Sequence, residues 1–279
     1  MPLLSRDRVV ILLGLAALGA MAYARLIEPN WLAVRYVPVK LPRLPRAFHD
    51  YRIAHISDLH LGRGLSPKHL QGTIDLINII QPDLVAITGD FVDRAAGEVF
   101  DDLVSALRQL QSRDGIFAVM GNHDYYHGVN EVRRALRASG VIDLSNCVHT
   151  LHRGDAKLHI AGVDNVAEGH DCLDAVLDQL PDSHTDATVL LVHEPDFADL
   201  SAPTGRFDLQ LSGHTHGGQV RLPLIGTPVL PAYGQRYPFG LYQVDGMQLY
   251  TNRGLGTIPP HVRFGVRPEL AVLILQSES

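Results

Sequence analysis

A repeated grammar of apolar run, turn and amphipathic stretch, with an Asp, Asn or His planted where run after run ends, constrains this chain more than any other feature. Arg52–Ser57 reads as a buried strand and leads into Asp58-Leu59-His60. Leu84–Thr88 leads into Gly89-Asp90, and Ile116–Met120 into Gly121-Asn122-His123-Asp124. Between them Lys68–Ile80, Val99–Leu110 and Val132–Ala138 carry apolar residues at helical spacing, as with Leu70, Ile74 and Ile77. Strands alternating with helices in this way predict parallel strands with helical crossovers. Past residue 140 short strands dominate: Cys147–Leu151, Leu158–Val163, Val189–Val192, Leu209–Ser212, Leu241–Val244, Gln248–Thr251 and Leu270–Leu275, with a helix over Leu173–Leu180. Val189–Val192 leads into His193-Glu194, and Leu209–Ser212 into Gly213-His214-Thr215-His216.

Loops at the carboxyl ends of strands in an open α/β sheet converge on one crevice. Side chains two apart in an extended segment share a side, so Asp58 can act with His60, and His214 with His216. Oxygen and imidazole donors from five segments, with no cysteine among them, suit a hard to borderline divalent cation. Taken singly, each has a plainer explanation as a turn, cap or core residue. Five in this order at successive strand ends reverse that reading. Two divalent ions about 3.5–4 Å apart can clamp a phosphoryl group and hold a hydroxide for in-line attack. Such a pair needs a shared anionic bridge, and Asp90 is the natural one.

Charge narrows the substrate. Residues 1–49 hold seven Lys/Arg against two Asp/Glu, a net of +5, so the rest carries −11 of the total −6. An acidic catalytic region is a poor partner for a polynucleotide backbone, and no nucleic acid is expected. Cys147 and Cys172 are too few for a disulfide framework and read as small core residues, with one disulfide between them as the alternative.

Val9–Ala24 is an uncharged apolar run. Extended through Ile27 with Arg25 snorkelling, it approaches the roughly 20 residues of a membrane span. Ala20-Met21-Ala22 and Ala22-Tyr23-Ala24 both resemble signal-peptide cleavage sites, so an exported, processed form is the competing expectation. Positive charge on both flanks leaves the side of the membrane open. The expected organisation is an anchor or signal over 1–28, a basic juxtamembrane linker over 29–49, and one catalytic domain over 50–279. Leu32–Val39 alternates weakly, which makes a first strand the other reading of that linker.

The motifs D-x-H, G-D-x-x-D, G-N-H-D, a lone His and G-H-x-H, carried by Asp58/His60, Gly89–Asp93, Gly121–Asp124, His193 and Gly213–His216, resemble the calcineurin-like metallophosphoesterases over roughly residues 50–275. That resemblance implies an α/β fold, a four-layer αββα sandwich of two mixed β-sheets flanked by helices. It implies two metal ions, Mn favoured over Fe or Zn, one held by Asp58, His60, Asp90 and His216, the other by Asp90, Asn122, His193 and His214. His123 would sit by the scissile phosphate with Asp124 orienting it, and Asp93 would support without ligating. Ile53–Gly62, Gly217–Pro223 and Tyr250–Thr257, with the amino-terminal segment, are similar to a bacterial membrane-associated phosphodiesterase branch. That branch includes UDP-2,3-diacylglucosamine pyrophosphatases of lipid A synthesis. The implied substrate is a phosphoester or nucleotide-linked glycolipid, and Arg221, Arg236 and Arg253 are the expected phosphate-binding cations. An exported envelope phosphodiesterase is the alternative. A non-catalytic scaffold ranks last, because no expected donor is missing.

Overall fold

Chain order sets the architecture of the computed structural model, which describes residues 6–94 and 96–277. Residues 1–5, the start of the expected amino-terminal segment, lie outside the described residues. Helix α1 (Arg6–Ala22) and tight turns through Asn30 precede β1 (Ala33–Leu41) and β2 (Tyr51–Ile56). The crossovers follow as α2 (Pro67–Ile80), β3 (Leu84–Thr88), α3 (Gly97–Leu107), β4 (Ile116–Val119), α4 (Asn122–His127), α5 (Val129–Ser139) and the short β5 (Ile142–Asp143). The second half runs β6 (Cys147–Arg153), β7 (Ala156–Gly162), α6 (Leu173–Gln179), β8 (Ala187–Leu191), β9 (Leu209–Ser212), β10 (Gly240–Val244), β11 (Met247–Thr251) and β12 (Glu269–Ser277).

The helices stop where local chemistry says they should. Ser66 caps α2 by accepting the His69 N–H, Pro67 occupies the first turn, and Gln81 closes it in the left-handed region. Gly140 does the same for α5.

Two six-stranded sheets result, ordered β1-β12-β2-β3-β4-β5 and β10-β11-β9-β8-β7-β6. Both are mixed. In the first, β12 runs parallel to β1 and antiparallel to β2, and β2 to β5 are parallel. In the second, β10 and β6 are antiparallel edges of a parallel set. Alternation along the strands assigns the faces. Ile53, Phe117, Val119 and Leu273 meet Ile160, Val189, Leu209 and Leu211 between the sheets. Ala54, Ile56, Val85 and Ile87 face the opposite way, under Leu70, Ile74 and Ile77 of α2, Leu103 of α3 and Leu136 of α5. Ala161, Leu190 and Val192 pack beneath Val176 and Phe197 on the far side. This is the four-layer sandwich expected. Each such side chain contributes about 1.5–3 kcal/mol on burial, against ~0–1 kcal/mol for an exposed ion pair, so the inter-sheet layer dominates the fold.

Two expectations change. Residues 33–41, read as linker or weak strand, form β1 in full nine-residue register with β12, so the basic stretch belongs to the first sheet. Cys147 and Cys172 are free and exposed, not core residues, because both lie beside the surface turn at Asn146.

Val10–Asn30 is long and apolar enough to cross a membrane, and the rest of the protein covers almost none of it. Its far end, in contrast, is docked. The Ala24 carbonyl accepts the Arg263 N–H at 2.8 Å, and Glu28 Oε2 accepts the Gly265 N–H at 2.9 Å. Tyr23 meets Phe264 edge-on at 6.2 Å, and the Arg267 guanidinium lies over the Trp31 ring.

Candidate metal centre

The loops after β2, β3, β4, β8 and β9 meet at one edge of the two sheets and bring all seven expected donors together. Three overlapping clusters form: Asp58, His60 and His216; His60, Asp90 and His123; Asp90, His193 and His214, with donor atoms within 4.8 Å of one another in each. Asp90 belongs to two of them. Its Oδ2 lies 3.4 Å from His60 Nε2 and 3.3 Å from His193 Nε2, and Asp58 Oδ1 lies 3.4 Å from His216 Nε2. Asn122 lines the same cavity, with a buried and unpartnered Oδ1.

Backbone shape aims these donors. Asp58, His60, Asp90, His214 and His216 all have positive φ, between 44° and 70°. Left-handed backbone at a non-glycine residue costs of order 1–3 kcal/mol and gathers at functional sites; Asp and His tolerate it better than most. Two glycines let the loops close. A Cβ on Gly121 would lie 2.1 Å from Asp90 Oδ1, and one on Gly213 would lie 1.8 Å from Ser57 Oγ.

Hydrogen bonds fix the tautomers. His193 Nδ1 donates to the Thr88 carbonyl at 2.6 Å, and His214 Nε2 donates to the Ala232 carbonyl at 2.8 Å. The remaining nitrogens, His193 Nε2 and His214 Nδ1, then face each other at 3.2 Å beside Asp90. His60 Nε2 and His216 Nε2 face each other at 3.1 Å. Burial holds His60 down to about 3 and His214 to about 4, so both present neutral lone pairs. Burial pushes Asp58 up to about 7, with the Asp90 charge adding to it. Burial opposes charge on the Asp90–His193 pair as well, but their mutual attraction wins, lowering Asp90 and raising His193. A proton on His193 therefore stands where a divalent cation would displace it. Converging lone pairs, buried carboxylates and unpartnered Asn122 Oδ1 fit a cation site.

The supporting residues are less expected. Asp124 does not orient His123, as had been anticipated. Its two oxygens accept the backbone N–H groups of Phe91 (2.8 Å), Asp90 (2.9 Å) and Gly121 (2.8 Å), which ties the β3 and β4 loops together. His123 stands half-buried, its ring edge-on to His60 at 4.7 Å, and its backbone N–H donates to Asp90 Oδ1. Asp93 binds the Arg63 and Gly64 N–H groups and so shapes the loop after β2.

Three residues were missed. Ser57 and Thr88 bond to each other beneath the site, and Thr88 also meets His55. Arg263, fully buried, donates to the carbonyls of Arg253, Gly254, Gly256 and Val266. The segment it holds in turn donates the Gly256 N–H to the Asp58 carbonyl at 2.7 Å. A signal existed for that segment, the run Asn252–Thr257, but none for Arg263 itself.

The arginines expected to bind phosphate are elsewhere. Arg253 pairs with Glu269 at 3.3 Å and Arg236 with Asp199. Arg221 and Arg253 stack on Phe239. None of the three lines the cavity at the donor cluster, whose wall is apolar: Val220, Pro228, Val229, Leu230, Ile258 and Pro259 are part of it.

Fold and donor set together define a metallophosphoesterase, a metal-dependent phosphoester hydrolase with a dinuclear centre. The chain belongs to the calcineurin-like phosphoesterase family, whose model matches residues 51–218. It is 35% identical over 266 residues to the metallophosphoesterase YkuE of Bacillus subtilis, covering 94% of this chain and 92% of that one. It is 28% identical to the phosphodiesterase YaeI of Escherichia coli, covering 94% of each. A bovine transmembrane protein with a metallophosphoesterase domain is 33% identical over 88% of this chain and 57% of its own length. The fold is also similar to that of a 5′-nucleotidase precursor from Thermus thermophilus, with a TM-score of 0.50 at 15% identity, over 80% of this chain and 54% of that one.

Proposed function

We propose that the protein is a dinuclear metal-dependent phosphodiesterase acting on an amphiphilic phosphoester at a membrane surface. One observation carries this reading. The cavity, about 460 Å³, is lined both by Asp90, Asn122, His123, His214 and His216 and by an apolar wall. A phosphate can lie on the donors while a hydrocarbon arm lies on prolines, valines, Leu230 and Ile258. YaeI, a relative along almost its whole length, is named a phosphodiesterase, and α1 supplies a membrane anchor.

In this reading Asp58, His60, Asp90 and His216 hold one cation, and Asp90, Asn122, His193 and His214 the other. The donor set suits Mn, Fe or Zn alike, and the family resemblance favours Mn. Bound there, the ions would supply Lewis-acid charge and an activated water. The chain's own share is positional. Thr88 and Ala232 carbonyls hold two imidazoles in the ligating tautomer. Asp124 keeps the Asp90 loop against Gly121. His123, with a ring nitrogen within 4.8 Å of the His60 and Asp90 donor atoms, is placed to stabilise charge on the phosphate or to protonate the leaving oxygen. The apolar wall excludes water from the other flank of the phosphate.

The absence of Arg221, Arg236 and Arg253 from the cavity lining favours a substrate with one phosphate over a diphosphate. UDP-2,3-diacylglucosamine is the second reading, favoured by the same apolar wall together with α1. The full chain, loaded with Mn and reconstituted in vesicles, separates them. The expected result is a higher kcat/KM for an acylated phosphodiester than for the soluble diester bis(p-nitrophenyl) phosphate. Equal or lower efficiency on the acylated ester would overturn the amphiphile reading. Release of UMP from UDP-2,3-diacylglucosamine at matching efficiency would install the second.

A further inference from the structure

We propose that the loop Leu222–Gly226 is a lipid-inserting wedge that enters the headgroup–acyl boundary of the bilayer spanned by α1. The proposal rests on reading α1 as a membrane span, and the test below separates the two.

Sequence comes first. From Leu222 to Leu230 there is no charged residue: Leu-Pro-Leu-Ile-Gly-Thr-Pro-Val-Leu. In the structure Leu222 and Gly226 exchange both backbone hydrogen bonds, at 2.8 and 2.9 Å, which pinches the segment into a small hairpin. Leu224 at its tip is fully exposed, and Ile225 and Val229 are exposed by 72% and 74%. A soluble surface scatters single exposed apolar side chains; a hairpin that gathers them at its tip marks a surface made to be covered.

The covering partner follows from where the hairpin is rooted. Arg221 donates its N–H to the Phe264 carbonyl at 2.7 Å, and Phe264 donates back to the Gln219 carbonyl at 2.9 Å. Phe264 is also the residue whose ring meets Tyr23, and its neighbour Arg263 donates to the Ala24 carbonyl. One residue therefore joins the base of the hairpin to the end of α1. If α1 crosses the bilayer, the hairpin starts at the level where α1 leaves it. Arg25 and Arg221, both exposed, and half-exposed Trp31 stand at that level, as cations and an indole do at an interface.

The wedge also reaches the site. Val220 and Val229, on either side of the hairpin, belong to the apolar cavity wall. An amphiphile leaving the bilayer along the hairpin would stay on hydrocarbon until its phosphate met the donors.

The test uses the full chain with Cys147→Ser and Cys172→Ser, and single cysteines at Leu224, Leu13 or Ile142, each carrying an environment-sensitive nitrobenzoxadiazole label. Ile142 sits on β5, at the opposite edge of the first sheet from β1. In phosphatidylcholine–phosphatidylglycerol vesicles, the label at Leu224 should shift to the blue. A nitroxide lipid labelled near the headgroup should quench it several-fold more than the label at Ile142. A Leu224 label as open to aqueous iodide as the Ile142 label, with the Leu13 label in lipid, would overturn the wedge and leave the span intact. A Leu13 label in water would overturn the span and the wedge together. Independently, Leu224→Asp with Ile225→Asp should leave turnover of bis(p-nitrophenyl) phosphate unchanged and lower turnover of a vesicle-borne ester several-fold. Equal turnover of the vesicle-borne ester would also count against the wedge.

Discussion

The two sheets bring unlike halves to the metal centre. Loops of the first contribute both carboxylates and the amide (Asp58, Asp90, Asn122) together with His60, whereas loops of the second contribute imidazoles alone (His193, His214, His216). Neither half is comfortable by itself. Burial, with the Asp90 charge close by, drives Asp58 up to about 7. Burial strips His216 of its proton affinity, and His60 next to it adds to the effect. Only when the inter-sheet core forms do the carboxylates of the first sheet meet the three imidazoles of the second. The metal site is thus a product of sheet packing, not of either sheet's loops.

Removing the carboxylate proposed to bridge the two metal shells should do the most damage. Asp90→Ala is expected to abolish turnover and to leave at most one metal per chain by elemental analysis. Two equivalents in that variant would mean that the halves are not bridged by this carboxylate. His193→Ala acts on the Asp90–His193–His214 set alone and should lose one equivalent while the Asp58–His60–His216 set keeps the other. Loss of both would show that the halves bind metal as one unit. His123→Ala should keep its metal and lose roughly 10²–10³-fold in kcat, the usual effect of deleting one transition-state contact. A wild-type kcat would remove His123 from the chemistry.

The smallest effect is on acid stability and tests the scaffold under the first half. His55, buried against Thr88, is held down to about 3 by burial from an ordinary 6.5. Its folded pKa is depressed, so the unfolded chain takes up the proton first. Its contribution is intact above about pH 6.5 and erodes as pH falls toward 3, by up to about 1.4 kcal/mol per pH unit. His55→Gln should flatten the fall in urea midpoint across that window, and an unchanged slope would show that other buried histidines carry it.

Most strands and helices were legible because period-2 and helical spacing are local properties. Leu84–Thr88 and Leu209–Ser212 coincide with β3 and β9. The donors were legible because each stands beside a glycine or at a strand end. What could not be read depends on distant partners. β1 is secured by β12, more than 200 residues away, so its own weak alternation says little. The family resemblance implied that Asp124 orients His123, but folding presents it with three backbone N–H groups. The arginines expected to bind phosphate stand outside the cavity lining for a similar reason: their contacts are with Glu269, Asp199 and Phe239.

The place of β12 between β1 and β2 has a consequence for biosynthesis. The first sheet stays split until residues 269–277 have left the ribosome. By then α1 has long been exposed to any targeting machinery. Where α1 acts as a membrane or signal segment, it does so before the first sheet can close.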